Sequence, residues 1–159
     1  MEILLLNKKK EGFGMESIIL ELNNFLADLN VFYRKLQNYH WYIEGEHFFV
    51  LHEKLEEYYN TVNEQIDEVA EHILTLEGMP LGTMKDYLDV TSIEEAKNKG
   101  VSKDEVIKNV KKDYTKLLRK VEDIKKKADA KDCFATSSIM DEYIVQYSKI
   151  IWMLNQLDK

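Results

Sequence analysis

The chain has few of the residues that break helices or cross-link loops. Its 159 residues include one proline, six glycines and one cysteine, Cys133. With a single cysteine, no disulfide can form within the chain, which fits a reducing compartment. So little proline and glycine argues against a loop-rich or all-β protein. Glutamate, lysine, leucine and isoleucine are abundant instead, and this composition is typical of long helices.

The sequence also lacks an excess of positive charge and a long apolar run. Its formal net charge is −7 at pH 7, so the surface as a whole should repel nucleic acid and anionic lipid. The apolar run at residues 3–6 is too short for the core of a signal peptide or for a membrane span. We therefore expect a soluble, cytoplasmic protein.

Apolar residues recur at intervals of three and four along four long segments, which is the period of an α-helix. The predicted helices span about residues 16–41, 46–76, 102–128 and 132–157. Ser102 and Glu105 have the spacing of a capping box at the start of the third helix. Residues 1–14, which contain the basic run Lys8–Lys10, predict a flexible N-terminal tail ahead of one domain over residues 15–159.

The connection between the second and third helices is longer than the others. Gly78 and Pro80 end the second helix, and Ser92 and Glu95 repeat the capping-box spacing, which predicts a short helix over residues 92–99. A long crossover lets the second and third helices run parallel, as in ferritin-like bundles. The predicted fold is therefore all-α, a ferritin-like four-helix bundle with a short helix in the crossover.

Polar side chains follow one side of the second helix. At about 100° per residue, with His52 at zero, Glu56 falls near 40°, Asp67 near 60° and Glu71 near 100°. Asp67 and Glu71 are one turn apart and should repel each other. Two interpretations of these carboxylates are open. They lie on a solvated helix face, or they bind a cation.

Distance restricts the second interpretation. His52 and Asp67 are roughly 22 Å apart along a helix, whereas metal–ligand bonds are about 2 Å long. One chain cannot bring these groups to one ion, but two helices packed antiparallel about a two-fold axis near Thr61 and Val62 can. His40, at the end of the first helix, would join His52. Imidazole with carboxylates and open positions suits Fe(II) better than a structural zinc site.

The other two histidines are interpreted differently. His47 lies in the turn between the first two helices, and His72 follows the acid pair. Both are expected to be solvated and not to bind metal.

Several stretches resemble the Dps family, the dodecameric mini-ferritins also called DNA-protection-during-starvation proteins. The resemblance covers about nine-tenths of the chain, and the twelve-residue spacing of the paired histidines is its most specific feature. The stretches are HWYIEGEHFFVLHEKLEE, DEVAEHIL, MPLGTMKDYL, SIEEA and DCFATSSIMDEYIVQYSKIIWMLNQL. The domain at residues 15–159 is therefore expected to be a Dps domain.

The resemblance implies a ferroxidase site between two subunits. Its iron ligands would be His40, His52 and Glu56 of one chain with Asp67 and Glu71 of its mate. Two departures stand out. The family usually has Asp in place of Glu56, which leaves open whether that carboxylate binds iron directly or through water. It usually has Arg in place of His72, so a salt bridge would be lost or replaced.

The resemblance further implies what the protein does. Two Fe(II) ions would be oxidised to Fe(III), with hydrogen peroxide as the preferred oxidant, and stored in the hollow of a dodecamer, protecting the cell from oxidative damage. One alternative is a nucleoid-condensing protein that binds DNA through Lys8–Lys10 and Lys125–Lys127, although the net charge opposes this. Another is an inert helical bundle that merely binds a divalent ion.

Overall fold

The computed structural model describes the backbone of residues 2–157 and the side chains of residues 14–157. The helices in this part of the chain are α1 (Glu2–Tyr42), α2 (Phe48–Thr75), α3 (Met84–Val90), α4 (Lys103–Asp129) and α5 (Phe134–Leu157). Within these bounds, none is long and apolar enough to cross a membrane. The architecture is the predicted all-α, ferritin-like four-helix bundle with a short helix in the crossover.

The helices are arranged as two antiparallel hairpins. In the first, His40 near the end of α1 lies against His52 of α2, and Asn23 near the middle of α1 bonds to the backbone just after α2. In the second, α4 and α5 are joined by the short turn at residues 130–133. A backbone bridge between Ile43 and Val101 holds the starts of α2 and α4 side by side, so these two helices run parallel, as predicted.

The predicted apolar stripes form the core between the hairpins. The predicted stripes on α1 and α4 are entirely buried, and those on α2 and α5 each have one half-buried exception, Ile66 and Ile139. The buried stripe positions on α1 and α4 are Leu22, Phe25, Leu29, Phe32, Leu36, Tyr39, Val106, Val110, Leu117, Val121 and Ile124. Aromatic rings fill the centre: the ring of Phe32 meets that of Tyr114 edge-on at 4.9 Å. Burial of these stripes removes a large apolar area from water, which is the main force that holds such bundles together.

Two helix positions differ from the prediction. The first helix was expected to begin at about Glu16, whereas α1 begins at Glu2. The division into a tail over residues 1–14 and a domain over residues 15–159 stays a prediction. The short crossover helix was predicted over residues 92–99, and this was wrong, because it lies at Met84–Val90.

The crossover helix is displaced because Ser92 has another partner. Asp28, buried in α1, accepts hydrogen bonds from the Ser92 backbone N–H at 2.6 Å and from the Thr91 hydroxyl at 2.8 Å. Ser92 therefore anchors an extended segment instead of capping a helix. The actual cap is Thr83, whose hydroxyl accepts from the Asp86 N–H at 3.2 Å.

Candidate metal centre

The two histidines that the sequence paired lie face to face where α1 passes α2. The ring centroids of His40 and His52 are 3.6 Å apart, and the ring planes are inclined by 18°. Between them the chain reverses through a tight turn in which Gly45 has φ 90° and His47 has φ 66°. Glycine adopts this left-handed conformation without steric cost, so Gly45 favours the reversal that brings His40 onto His52.

Each histidine is held by the backbone of the other. Nδ1 of His40 lies 2.7 Å from the carbonyl oxygen of His52, and Nδ1 of His52 lies 2.8 Å from the carbonyl oxygen of His40. A carbonyl oxygen can only accept a hydrogen bond, so both Nδ1 atoms must carry the proton. In the neutral rings, Nε2 then bears the lone pair on each histidine. Such fixing of the tautomer by the other ring nitrogen is typical of metal-binding histidines.

Aromatic rings enclose this histidine pair. Phe48 stacks on His52 with centroids 5.0 Å apart, and Tyr59 meets His40 edge-on at 5.4 Å. His40 is only 7% exposed. Together, these contacts fix both imidazoles in orientation before any ion arrives.

Glu56 lies one turn beyond His52 on α2 and is exposed. It also acts on Tyr59, whose pKa is raised by burial and then by the charge of the Glu56 carboxylate and a hydrogen bond to it. The sequence analysis did not single out Tyr59. The helical period contained the signal for Tyr59, since seven residues after His52 corresponds to a position about 20° away on the same side of the helix.

Asp67 and Glu71 do not join this group within the chain. The helix α2 is continuous from Phe48 to Thr75, so these carboxylates lie roughly 22 Å or more beyond His52. Both are exposed, and neither makes a hydrogen bond or an ion pair with any described residue. Among residues 14–157, no three His, Cys, Asp or Glu side chains gather closely enough to hold a metal ion. The assignment of the five ligands therefore stays a prediction.

His72 is a correction to the sequence analysis, because it is buried and not solvated. Its Nε2 lies 2.8 Å from the hydroxyl of Thr136 on α5, which in turn lies 3.0 Å from the sulfur of Cys133. Burial lowers the pKa of His72, and the nearby Glu68 carboxylate only partly opposes this effect. His72 is therefore a neutral, hydrogen-bonded residue that joins the end of α2 to the start of α5. His47 is exposed, as predicted.

A family model agrees with the architecture described above. The model for the ferritin-like domain family, Ferritin, matches residues 19–159 of the chain. This match includes α1 from residue 19 onward, the other three long helices and every candidate ligand.

Individual proteins of known sequence or structure are also similar. DNA protection during starvation protein 2 of Bacillus anthracis is 38% identical over 104 residues, which is 65% of this chain and 70% of that protein. A crystal structure of a Dps protein from Vibrio cholerae O1, described as a ferritin-like diiron-carboxylate protein, superposes with a TM-score of 0.89 at 35% identity, covering 92% of each chain. A crystal structure of a Dps protein from Bacillus brevis superposes with a TM-score of 0.88 at 34% identity, covering 92% of this chain and 97% of that one.

Proposed function

Because this chain belongs to the ferritin-like Dps family, we propose that it is a mini-ferritin that oxidises Fe(II) to Fe(III), with hydrogen peroxide as oxidant. The oxidation takes place at sites shared between two copies, and the product is stored inside a hollow shell of twelve copies. The observation that carries the proposal is the reciprocally bonded pair His40 and His52, which presents two Nε2 lone pairs, with Glu56 one helical turn beyond His52 on α2.

The remaining ligands come from a second copy. His52 and Glu71 are equally distant from the midpoint between Thr61 and Val62, and so are Glu56 and Asp67. A two-fold axis at this midpoint therefore brings the imidazole end of one α2 to the carboxylate end of the other, and creates two identical sites per dimer. In support, Asp67 and Glu71 are exposed on α2 with no described residue of their own chain bonded to them.

Iron is the substrate of this reaction. Imidazole nitrogens and carboxylate oxygens together bind Fe(II) while leaving positions open for the oxidant. Two Fe(II) ions give one electron each, and one peroxide takes both electrons with two protons to form two waters. Because both electrons leave together, no hydroxyl radical is released. The fixed imidazoles keep two ions at one place long enough for this paired transfer.

The proposal is tested by anaerobic addition of Fe(II), followed by peroxide, with Fe(III) formation recorded by stopped-flow absorbance. The wild-type protein should oxidise iron much faster than buffer does, and His52→Ala and Asp67→Ala should each lose this advantage. A wild-type rate equal to that in buffer contradicts the proposal and favours an inert bundle. His47→Ala is the matched control, since this histidine lies in the turn and is exposed.

DNA binding is the alternative function, and the names of relatives such as the Bacillus anthracis protein favour it. Lys125, Lys126 and Lys127 of α4 offer it little support, because each is paired with an acid. Lys125 bonds to Asp141 at 2.9 Å, Lys126 lies 3.4 Å from Asp123, and Lys127 pairs with Glu21. The side chains of Lys8–Lys10 lie outside the described residues.

A gel-shift assay with supercoiled DNA at low salt tests the alternative. Retardation that disappears as the salt concentration rises would support phosphate contacts through lysines. Absence of any retardation at low salt contradicts DNA binding.

A further inference from the structure

Three large apolar side chains of α2 are exposed, and Phe49 and Leu74 are two of them. Phe49 is 79% exposed and Leu74 is 58% exposed, and they lie near opposite ends of α2. Single exposed apolar residues are common on protein surfaces, so exposure alone carries little information. Their position relative to the proposed ligands is what distinguishes them.

Phe49 and Leu74 share a face with the proposed ligands. On the wheel that sets His52 at zero, Phe49 falls near 60° and Leu74 near 40°. The ligand positions of α2 range from zero to about 100°, so both apolar side chains lie near the centre of that range. Val50, the other large exposed apolar residue near the start of α2, falls near 160° and points away from this face.

The same symmetry that relates the ligands also relates these two residues. Phe49 and Leu74 are equally distant from the midpoint between Thr61 and Val62. An antiparallel partner in the register that joins His52 to Glu71 therefore also places Leu74 of the second copy beside Phe49. Asn60 and Asn63, both exposed, form a further symmetric pair next to the axis.

We propose that Phe49 of one copy packs on Leu74 of a second copy at the outer end of each shared iron site. This apolar contact sets the register of the two helices and keeps water from that end of the site. It rests on the proposed function only for the position of the two-fold axis. The partner that covers this face is a second copy of the chain, for two reasons. One antiparallel register pairs Phe49 with Leu74 and also His52 with Glu71. In that register, the carboxylates of one copy meet the imidazoles of the other.

The contact is tested by cross-linking without iron, in a Cys133→Ser background that removes the natural thiol. Phe49→Cys combined with Leu74→Cys should yield covalent dimers on a non-reducing gel, either on mild oxidation or with a short bis-maleimide that tolerates imperfect disulfide geometry. Within one chain the two positions are roughly 38 Å apart on a helix, so a link between them must join two copies.

Two controls define the background. The variant with Val50→Cys and Leu74→Cys also has two exposed thiols, but the thiol at position 50 points away from the face that carries the proposed ligands. The single variants place identical positions roughly 38 Å apart across the axis. Dimer yields several-fold above both controls support the contact, and yields no higher than either control overturn it.

The outcome is separate from that of the iron assay. Efficient cross-linking in a protein that does not oxidise iron leaves the interface standing and contradicts the function. Normal iron oxidation without cross-linking contradicts the contact and leaves the function standing.

Discussion

The two ends of α2 carry the two halves of the proposed site, and they differ in how far a single chain prepares them. At one end, the backbone of α1 and α2 holds His40 and His52 with their Nε2 atoms free of those bonds. At the other, Asp67 and Glu71 are exposed and bonded to no described residue. The imidazoles are thus preorganised within the chain, whereas in the proposed site the carboxylates depend on a second copy.

This difference has a physical reason. Two exposed carboxylates one turn apart repel each other, and water screens them at little cost. The imidazoles are packed between two helices, where an unpaired ring nitrogen would be costly, and the chain supplies a carbonyl acceptor for Nδ1 of each. A site divided in this way becomes complete only on assembly, so that a free monomer should not oxidise iron efficiently.

The largest expected effect comes from removing one ligand at either end. Despite the difference in burial, His52→Ala and Asp67→Ala should each lower the rate of Fe(II) oxidation by about 100-fold, because both halves are needed for paired transfer. Stopped-flow absorbance measures the rates, and Glu57→Ala, an exposed acid away from this face, is the control. An Asp67→Ala variant with the wild-type rate would show that the exposed end plays no part.

His72 separates a role in stability from a role in iron binding, since it is buried and follows the exposed Glu71 directly in the sequence. His72→Ala removes one of the two partners of the buried Thr136 hydroxyl and leaves a cavity. The free energy of unfolding should fall by about 2–3 kcal/mol, measured by chemical denaturation. The oxidation rate of the folded variant should stay within about twofold of the wild type, because no ligand has changed. A stable variant without activity would contradict this division of roles.

The same residue predicts how stability depends on pH. Burial lowers the pKa of His72 below its ordinary value of 6.5, so the unfolded chain binds this proton more readily than the folded one. The stabilisation is fully present above about pH 6.5 and declines as the pH falls below that value. Denaturation at several pH values should show a shallower decline for His72→Gln than for the wild type. Equal slopes would contradict the prediction.

The smallest expected effect concerns the hydroxyl of Tyr59. Its pKa is raised by burial and by Glu56, so it stays protonated at neutral pH and donates a hydrogen bond to that carboxylate. Tyr59→Phe keeps the ring contact with His40 and should cost about 1 kcal/mol of stability or less. The loss of stability is measured by chemical denaturation. A much larger loss would mean that the Tyr59 hydroxyl, and not only its ring, helps to hold His40 in place.

The helices and their buried faces were predictable because their periodicity is local. The stripes on α1 and α4 were predicted residue by residue, and so was the cap at Ser102, which accepts from the Glu105 N–H at 3.3 Å. The pairing of His40 with His52 was also predictable, since only a short turn separates their helices. Local patterns therefore predicted most of the fold and the contact between the two imidazoles of the proposed site.

The position of the crossover helix and the burial of His72 were not predicted, because both depend on partners distant in sequence. Ser92 has the spacing of a helix cap, but Asp28 of another helix takes its backbone N–H and its hydroxyl. His72 follows two exposed acids, yet its partner Thr136 lies on α5. No periodicity within one segment contains this information. The carboxylate half of the site depends on a second copy and stays a prediction.

Mixing two inactive variants tests the shared site most directly. When His52→Ala and Asp67→Ala chains are reassembled together, some sites take His52 from one chain and Asp67 from the other, and about a quarter of sites are intact at random 1:1 mixing. If the site is shared between two copies, oxidation should return to about a quarter of the wild-type rate. A mixture as inactive as either variant alone, with mixed oligomers verified by two affinity tags, would contradict it.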